Sequence, residues 1–113
     1  MEIGIEQLRK TVDAVEDKKG RDIAILDIKE ISSITDYFLI VTGNTTIQTK
    51  AIAEHLDEKL GEIGIPVLRI EGLREASWVL IDCGDLVIHI MTPEARAFYS
   101  LERLWGDAKE VNL

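Results

Sequence analysis

The sequence has one cysteine, Cys83. It can form no internal disulfide and anchor no cysteine-rich zinc site. Histidine is scarce too. His55 and His89 lie too far apart for a paired metal motif such as HExxH. Base is in short supply: thirteen Lys and Arg stand against twenty-one Asp and Glu, a net charge of −8. Neutralising phosphates needs clustered Lys and Arg, so direct docking on DNA or RNA is disfavoured. An anionic membrane surface is disfavoured for the same reason. No apolar run approaches the ~20 residues of a membrane span. The opening MEIGIEQLRK lacks the basic stretch and apolar core of a signal peptide. A soluble cytoplasmic chain is the expectation.

What is present points to one packed domain. Hydrophobic residues make up 46% of 113 positions, too many for a disordered acidic chain. Ile5, Leu8, Val12 and Val15 follow a helical period and predict a helix over 5–19, closed by Gly20. DIAILDI (22–28) and DYFLIVT (36–42) read as strands. The second is almost wholly apolar, as in a strand covered on both faces. A helix follows over 45–63, with Thr45 or Thr46 as N-cap and Gly64 as stop. PVLRIE (66–71) predicts a short strand, at an edge because of Pro66. ASWVLID (76–82) and DLVIHIM (85–91) form a hairpin around Cys83-Gly84. Thr92-Pro93 opens a last helix with Ala97, Phe98, Leu101, Leu104 and Trp105 on its apolar face. The order is α-β-β-α-β-β-β-α: an α/β (α+β) domain over 1–105, with one mixed sheet of about five strands. The segment 36–71 should be a parallel crossover. Residues 106–113 read as a polar, frayed tail.

The hairpin breaks the ordinary amphipathic pattern. A Cys83-Gly84 loop sets Asp82 opposite Asp85, Leu80 opposite Val87, Trp78 opposite His89, and Ala76 opposite Met91. One face then carries Val79, Ile81, Leu86, Ile88 and Ile90 and belongs in the core. The other carries Trp78, Leu80, Asp82, Asp85, Val87 and His89. Burying two opposed aspartates is costly, and a tryptophan with aliphatic neighbours is a poor solvent face. A mixed aromatic, aliphatic and acidic patch suits a protein interface. The bland alternative has Trp78 packing under the last helix and the aspartates flanking a turn in water. The hairpin contains no Lys or Arg, so a basic partner could supply its counter-charge. Tyr99 and Glu102, at i and i+3, extend the patch or merely flank the helix.

Other chemistry finds thinner support. Asp36, Asp82 and Asp85 could bind a divalent metal for phosphoryl or nucleotidyl transfer. Yet GNTT (43–46) lacks the lysine of a phosphate-binding loop. Cys83 has no basic neighbour to activate it, and strand alternation turns it away from His89. His55 reads as a helix-surface residue. No cofactor and no metal are expected.

The segments SSITDYFLIVTGNTTIQTKAIAEHL (32–56), Glu71-Gly72, WVLIDCGDLVIHIM (78–91) and RAFYSLERLW (96–105) together resemble the ribosomal silencing factor (Iojap) family. The resemblance spans nearly the whole chain and leaves out 106–113. It implies a nucleotidyltransferase-like mixed sheet without the activity, since the Gly-Ser and paired Asp-x-Asp of active transferases are missing. It implies binding to protein fourteen of the large ribosomal subunit, on the subunit-joining face. Small-subunit association would be blocked and translation repressed in starvation. Organelle members act in large-subunit assembly, and members are often homodimers. The matching positions are Asp36, Tyr37, Trp78, Asp82, Gly84, Asp85, His89, Tyr99, Glu102 and Trp105. Of these, Gly84 serves the turn and Trp105 the packing. The expected ribosomal-protein-binding residues are Trp78, Leu80, Asp82, Asp85 and His89, extended by Tyr99 and Glu102. A steric binder of this kind is not an enzyme.

Overall fold

A computed structural model describes residues 3–113. The first helix, α1, spans Ile5–Asp17, and strands β1 (Arg21–Asp27) and β2 (Tyr37–Thr42) follow. Helix α2 runs Thr46–Ile63. Thr45 caps it by accepting the Gln48 N–H, and Gly64 ends it in a left-handed conformation. Strand β3 (Arg69–Glu71) leads to the hairpin β4 (Trp78–Asp82) and β5 (Leu86–Met91). Helices α3 (Pro93–Tyr99) and α4 (Leu101–Leu104) come next, then a short β6 (Lys109–Glu110).

The sheet order is β3-β4-β5-β2-β1-β6. Among the described residues only β2 and β5 pair in parallel; the other neighbours are antiparallel. The β2-α2-β3 crossover does join parallel strands, but the whole β4–β5 hairpin is inserted between them. β3 sits at an edge, as Pro66 suggested. The tail expected to fray instead supplies the sixth strand. Lys109 pairs with Asp27, Glu110 with Leu26, and the Val111 N–H donates to the Ile25 carbonyl at 2.8 Å.

Side-chain alternation splits the apolar residues into two cores. Ile25, Leu39, Val41, Val79, Ile81, Leu86, Ile88 and Ile90 point to one face and pack under α1 and α2. Leu8 and Val15 of α1, with Ile52, Leu56 and Leu60 of α2, are fully buried against them. His55 joins the two helices, its Nε2 3.3 Å from Asp17. The opposite face carries Ala24, Leu26, Ile40 and Met91, covered by Leu101 with Trp105 beside it. β2 is thus covered on both sides, which explains its unbroken apolar sequence.

The last helix departs from expectation. It breaks at Ser100, whose φ of 49° and ψ of 53° lie in the left-handed region. The break lets Arg96 clamp Glu102 with two 2.9 Å hydrogen bonds. Positions six apart lie on different sides of an unbroken helix and could not meet this way. The same guanidinium donates to Thr42 Oγ1 at 2.8 Å and to the Asp22 carbonyl, tying the elbow to the sheet. The predicted apolar stripe is divided accordingly. Leu101 is buried, while Phe98 and Leu104 are exposed.

Candidate protein-binding face

The β4–β5 turn sits one residue later than the sequence suggests. Its centre is Gly84-Asp85, closed by the Cys83 N–H donating to the Leu86 carbonyl at 2.8 Å. Gly84 takes φ +84°, and glycine at the first central position is what such a turn favours. The register moves by two. Asp82 pairs with Val87, Leu80 with His89, and Trp78 with Met91. A shift of two preserves the faces, so Leu80, Asp82, Val87 and His89 still share one side with Trp78. Asp85 leaves that side and enters the turn. Its carbonyl accepts from the backbone N–H groups of Asp36 and Tyr37, each at 3.1 Å.

The counter-charge for Asp82 comes from the adjacent strand rather than from a partner. Arg69 Nε lies 3.2 Å from one carboxylate oxygen, and the Gly84 N–H donates to the other at 2.9 Å. Asp82 therefore shapes the turn. The other acidic candidate, Glu102, is held by Arg96. It does not form a stripe with Tyr99, because the helix breaks between them.

Aromatic rings occupy the middle of this face. Tyr99 lies against Trp78 with ring centroids 4.5 Å apart. Trp78 Nε1–H donates to His89 Nδ1 at 3.0 Å. Phe38 meets His89 edge to face at 4.7 Å and Trp105 at 5.4 Å. Trp78 is half-buried in this chain of contacts, not a free anchor. His89 is 4% exposed, and burial pushes its pKa down to about 4. The ring is neutral near pH 7. An indole N–H can only donate, so Nδ1 carries no proton and Nε2 does. Among the described residues Nε2 has no hydrogen-bond partner, and neither has Oγ1 of buried Thr35.

Below the rings, toward the 82–87 turn, none of the described helices supplies a residue to the sheet surface. A groove of about 350 Å³ opens there. Leu80, Val87, Phe38 and His89 line it with Leu68 and Trp105, and Ile34, Thr35, Arg69 and Asp82 complete the rim. Leu68 is 65% exposed and Ile34 87%. These two, with Phe38 and Arg69, escape a reading confined to the hairpin. Neither segment signals it locally: ISSIT holds Ile31 and Ile34, VLRIE holds Val67, Leu68 and Ile70, and nothing in their pattern marks which of these stays outside the core.

The alternative chemistries find no assembled site. Among the described residues no three His, Cys, Asp or Glu side chains gather as a metal centre requires. Asp82 is committed to Arg69 and the turn. The Cys83 thiol is buried, and desolvation, with Asp82 nearby, pushes its pKa up to about 12. A thiol so held is a poor nucleophile.

Comparison with known proteins agrees with this architecture. Residues 3–113 match the family model described as "Ribosomal silencing factor during starvation". The chain is 48% identical over 108 residues to Ribosomal silencing factor RsfS of Halalkalibacterium halodurans, covering 96% of this chain and 92% of that one. It is 33% identical over 97 residues to the mouse protein Mitochondrial assembly of ribosomal large subunit protein 1, covering 83% of this chain and 42% of that one. A crystal structure of a Chromobacterium violaceum protein superposes with a TM-score of 0.87 at 40% identity, covering 94% of this chain and 88% of that one. With one sheet shared, the family model spanning both termini of the described chain and high identity over nearly its full length, the chain belongs to the ribosomal silencing factor family.

Proposed function

We propose that this chain represses translation by docking its groove face on the large ribosomal subunit, against the basic protein fourteen, where its bulk keeps the small subunit from joining. The observation that carries the reading is the uncovered apolar groove, with the exposed side chains of Leu68 and Ile34 in its lining. Apolar centres with charged rims are the usual anatomy of a protein contact. The net charge of −8 opposes any seat on rRNA and favours a basic protein. No bond is made or broken in this mechanism, so the chain acts as a binder and not as an enzyme, in the cytoplasm.

A second reading is assembly of the large subunit, favoured by the name of the mouse relative. Both readings use the same face and differ in when the chain leaves. Co-sedimentation with purified large subunits tests the shared part. Wild type should pellet with them. Leu68→Glu changes an exposed side chain, should leave the fold within about 0.5 kcal/mol, and should release the chain to the supernatant. Retention of Leu68→Glu at wild-type levels would remove the groove from the interface. A subunit-joining assay then separates the two roles: repression requires the bound chain to keep the small subunit off mature large subunits.

A further inference from the structure

We infer that the groove takes a partner loop bringing an amide oxygen together with an apolar side chain, and that His89 and Thr35 are the residues that recognise this oxygen. The inference rests on the groove being the docking face. It comes from two side chains the fold leaves unsatisfied in one place. His89 and Thr35 are each 4% exposed, both line the groove, and among the described residues neither His89 Nε2 nor Thr35 Oγ1 has a hydrogen-bond partner. Buried polar groups are nearly always paired, so two orphans at one groove ask for an explanation.

The proton count fixes what His89 offers. Trp78 Nε1–H occupies Nδ1 at 3.0 Å. A neutral ring must then carry its hydrogen on Nε2, which becomes a donor. The Phe38 ring, T-shaped to the imidazole, offers at most a weak π acceptor. The occupant must therefore supply an acceptor. A carboxylate is a poor choice: the imidazole is neutral, the groove is largely apolar and the chain already carries −8. An amide oxygen accepts equally well at a much smaller desolvation cost, and Thr35 Oγ1–H is a second unsatisfied donor among the lining residues. Leu68, Leu80 and Val87 provide the surface for the accompanying apolar side chain. Both orphan atoms are shielded from solvent, so docking must shift the 32–35 segment, which has no helix or strand to hold it.

Two variants and one control test this, each measured for affinity to purified large subunits and for thermal unfolding. Thr35→Val removes the hydroxyl with little change of shape. His89→Asn keeps an oxygen near the Nδ1 position for Trp78 and has nothing at Nε2. Each should bind about fivefold more weakly, the worth of one hydrogen bond. Thr35→Val should melt no lower than wild type, because no internal bond is lost. Leu68→Glu is the control for the groove. Wild-type affinity in both Thr35→Val and His89→Asn, with Leu68→Glu impaired, overturns the inference and leaves the docking face standing. Wild-type affinity in Leu68→Glu overturns both. A clear drop in the melting temperature of Thr35→Val shows its hydroxyl paired within the fold, which also overturns its assigned role.

Discussion

Lowering the pH from about 7.5 to about 4 should cost the folded chain about 3 kcal/mol through His89 alone. The ring titrates near its ordinary value of 6.5 in the unfolded chain and at about 4 in the folded one, because burial disfavours the charged form. Between those values the unfolded chain binds a proton that the native chain refuses. Stability from this source is therefore whole above pH ~6.5 and falls as pH drops toward ~4, at up to about 1.4 kcal/mol per unit. Protonating Nδ1 would also set two N–H groups against each other at the Trp78 contact. Urea unfolding at a series of pH values, for wild type and for His89→Asn, isolates the term, since asparagine does not titrate. The wild-type curve should fall more steeply than the variant's between pH ~6.5 and ~4. Parallel curves across that window would refute the buried neutral ring.

Other consequences follow from single contacts. Trp78→Ala should destabilise by about 2–3 kcal/mol, somewhat less than for a fully buried aromatic. It also strips His89 Nδ1 of its donor and Tyr99 of its ring partner, and thermal melting reads the loss. Arg96→Ala should cost about 2 kcal/mol, since it frees Glu102 and unties the α3–α4 elbow from Thr42 and Asp22. Faster amide exchange in α4 than in α2 would report it locally. Gly72 sits at φ +81°, and a Cβ there would lie 2.2 Å from the Trp78 carbonyl oxygen. Gly72→Ala should therefore lower stability by at least about 2 kcal/mol, measured by denaturant titration.

The parts legible in the sequence were those set by local periodicity and caps. The α2 boundaries follow from Thr45 and Gly64, the burial of β2 from its unbroken apolar run, and the aliphatic hairpin face from strict alternation. Misplacing the turn by one residue did not damage the faces, because the register moved by two. What escaped depends on partners distant in sequence. Arg69 reaches Asp82 only because β3 pairs with β4. Ser100 breaks the helix where Arg96 can hold Glu102 and the ends of β1 and β2 together. Lys109–Glu110 becomes a strand because β1 presents an open edge. The candidate face is half legible for the same reason. Leu80, Asp82 and His89 were found on their face, whereas Asp85 belongs to the turn and Glu102 to a clamp. Phe38, Leu68 and Ile34 entered only when the sheet brought other segments beside the hairpin.

The central claim is that this face, seated on the large subunit, prevents subunit joining. Light scattering during association of purified large and small subunits measures that directly. Preincubating large subunits with wild type should suppress the rise in scattering, while equal amounts of Leu68→Glu should leave it near the level without added protein. Undiminished association with saturating wild type, or suppression as strong with Leu68→Glu, would contradict the account.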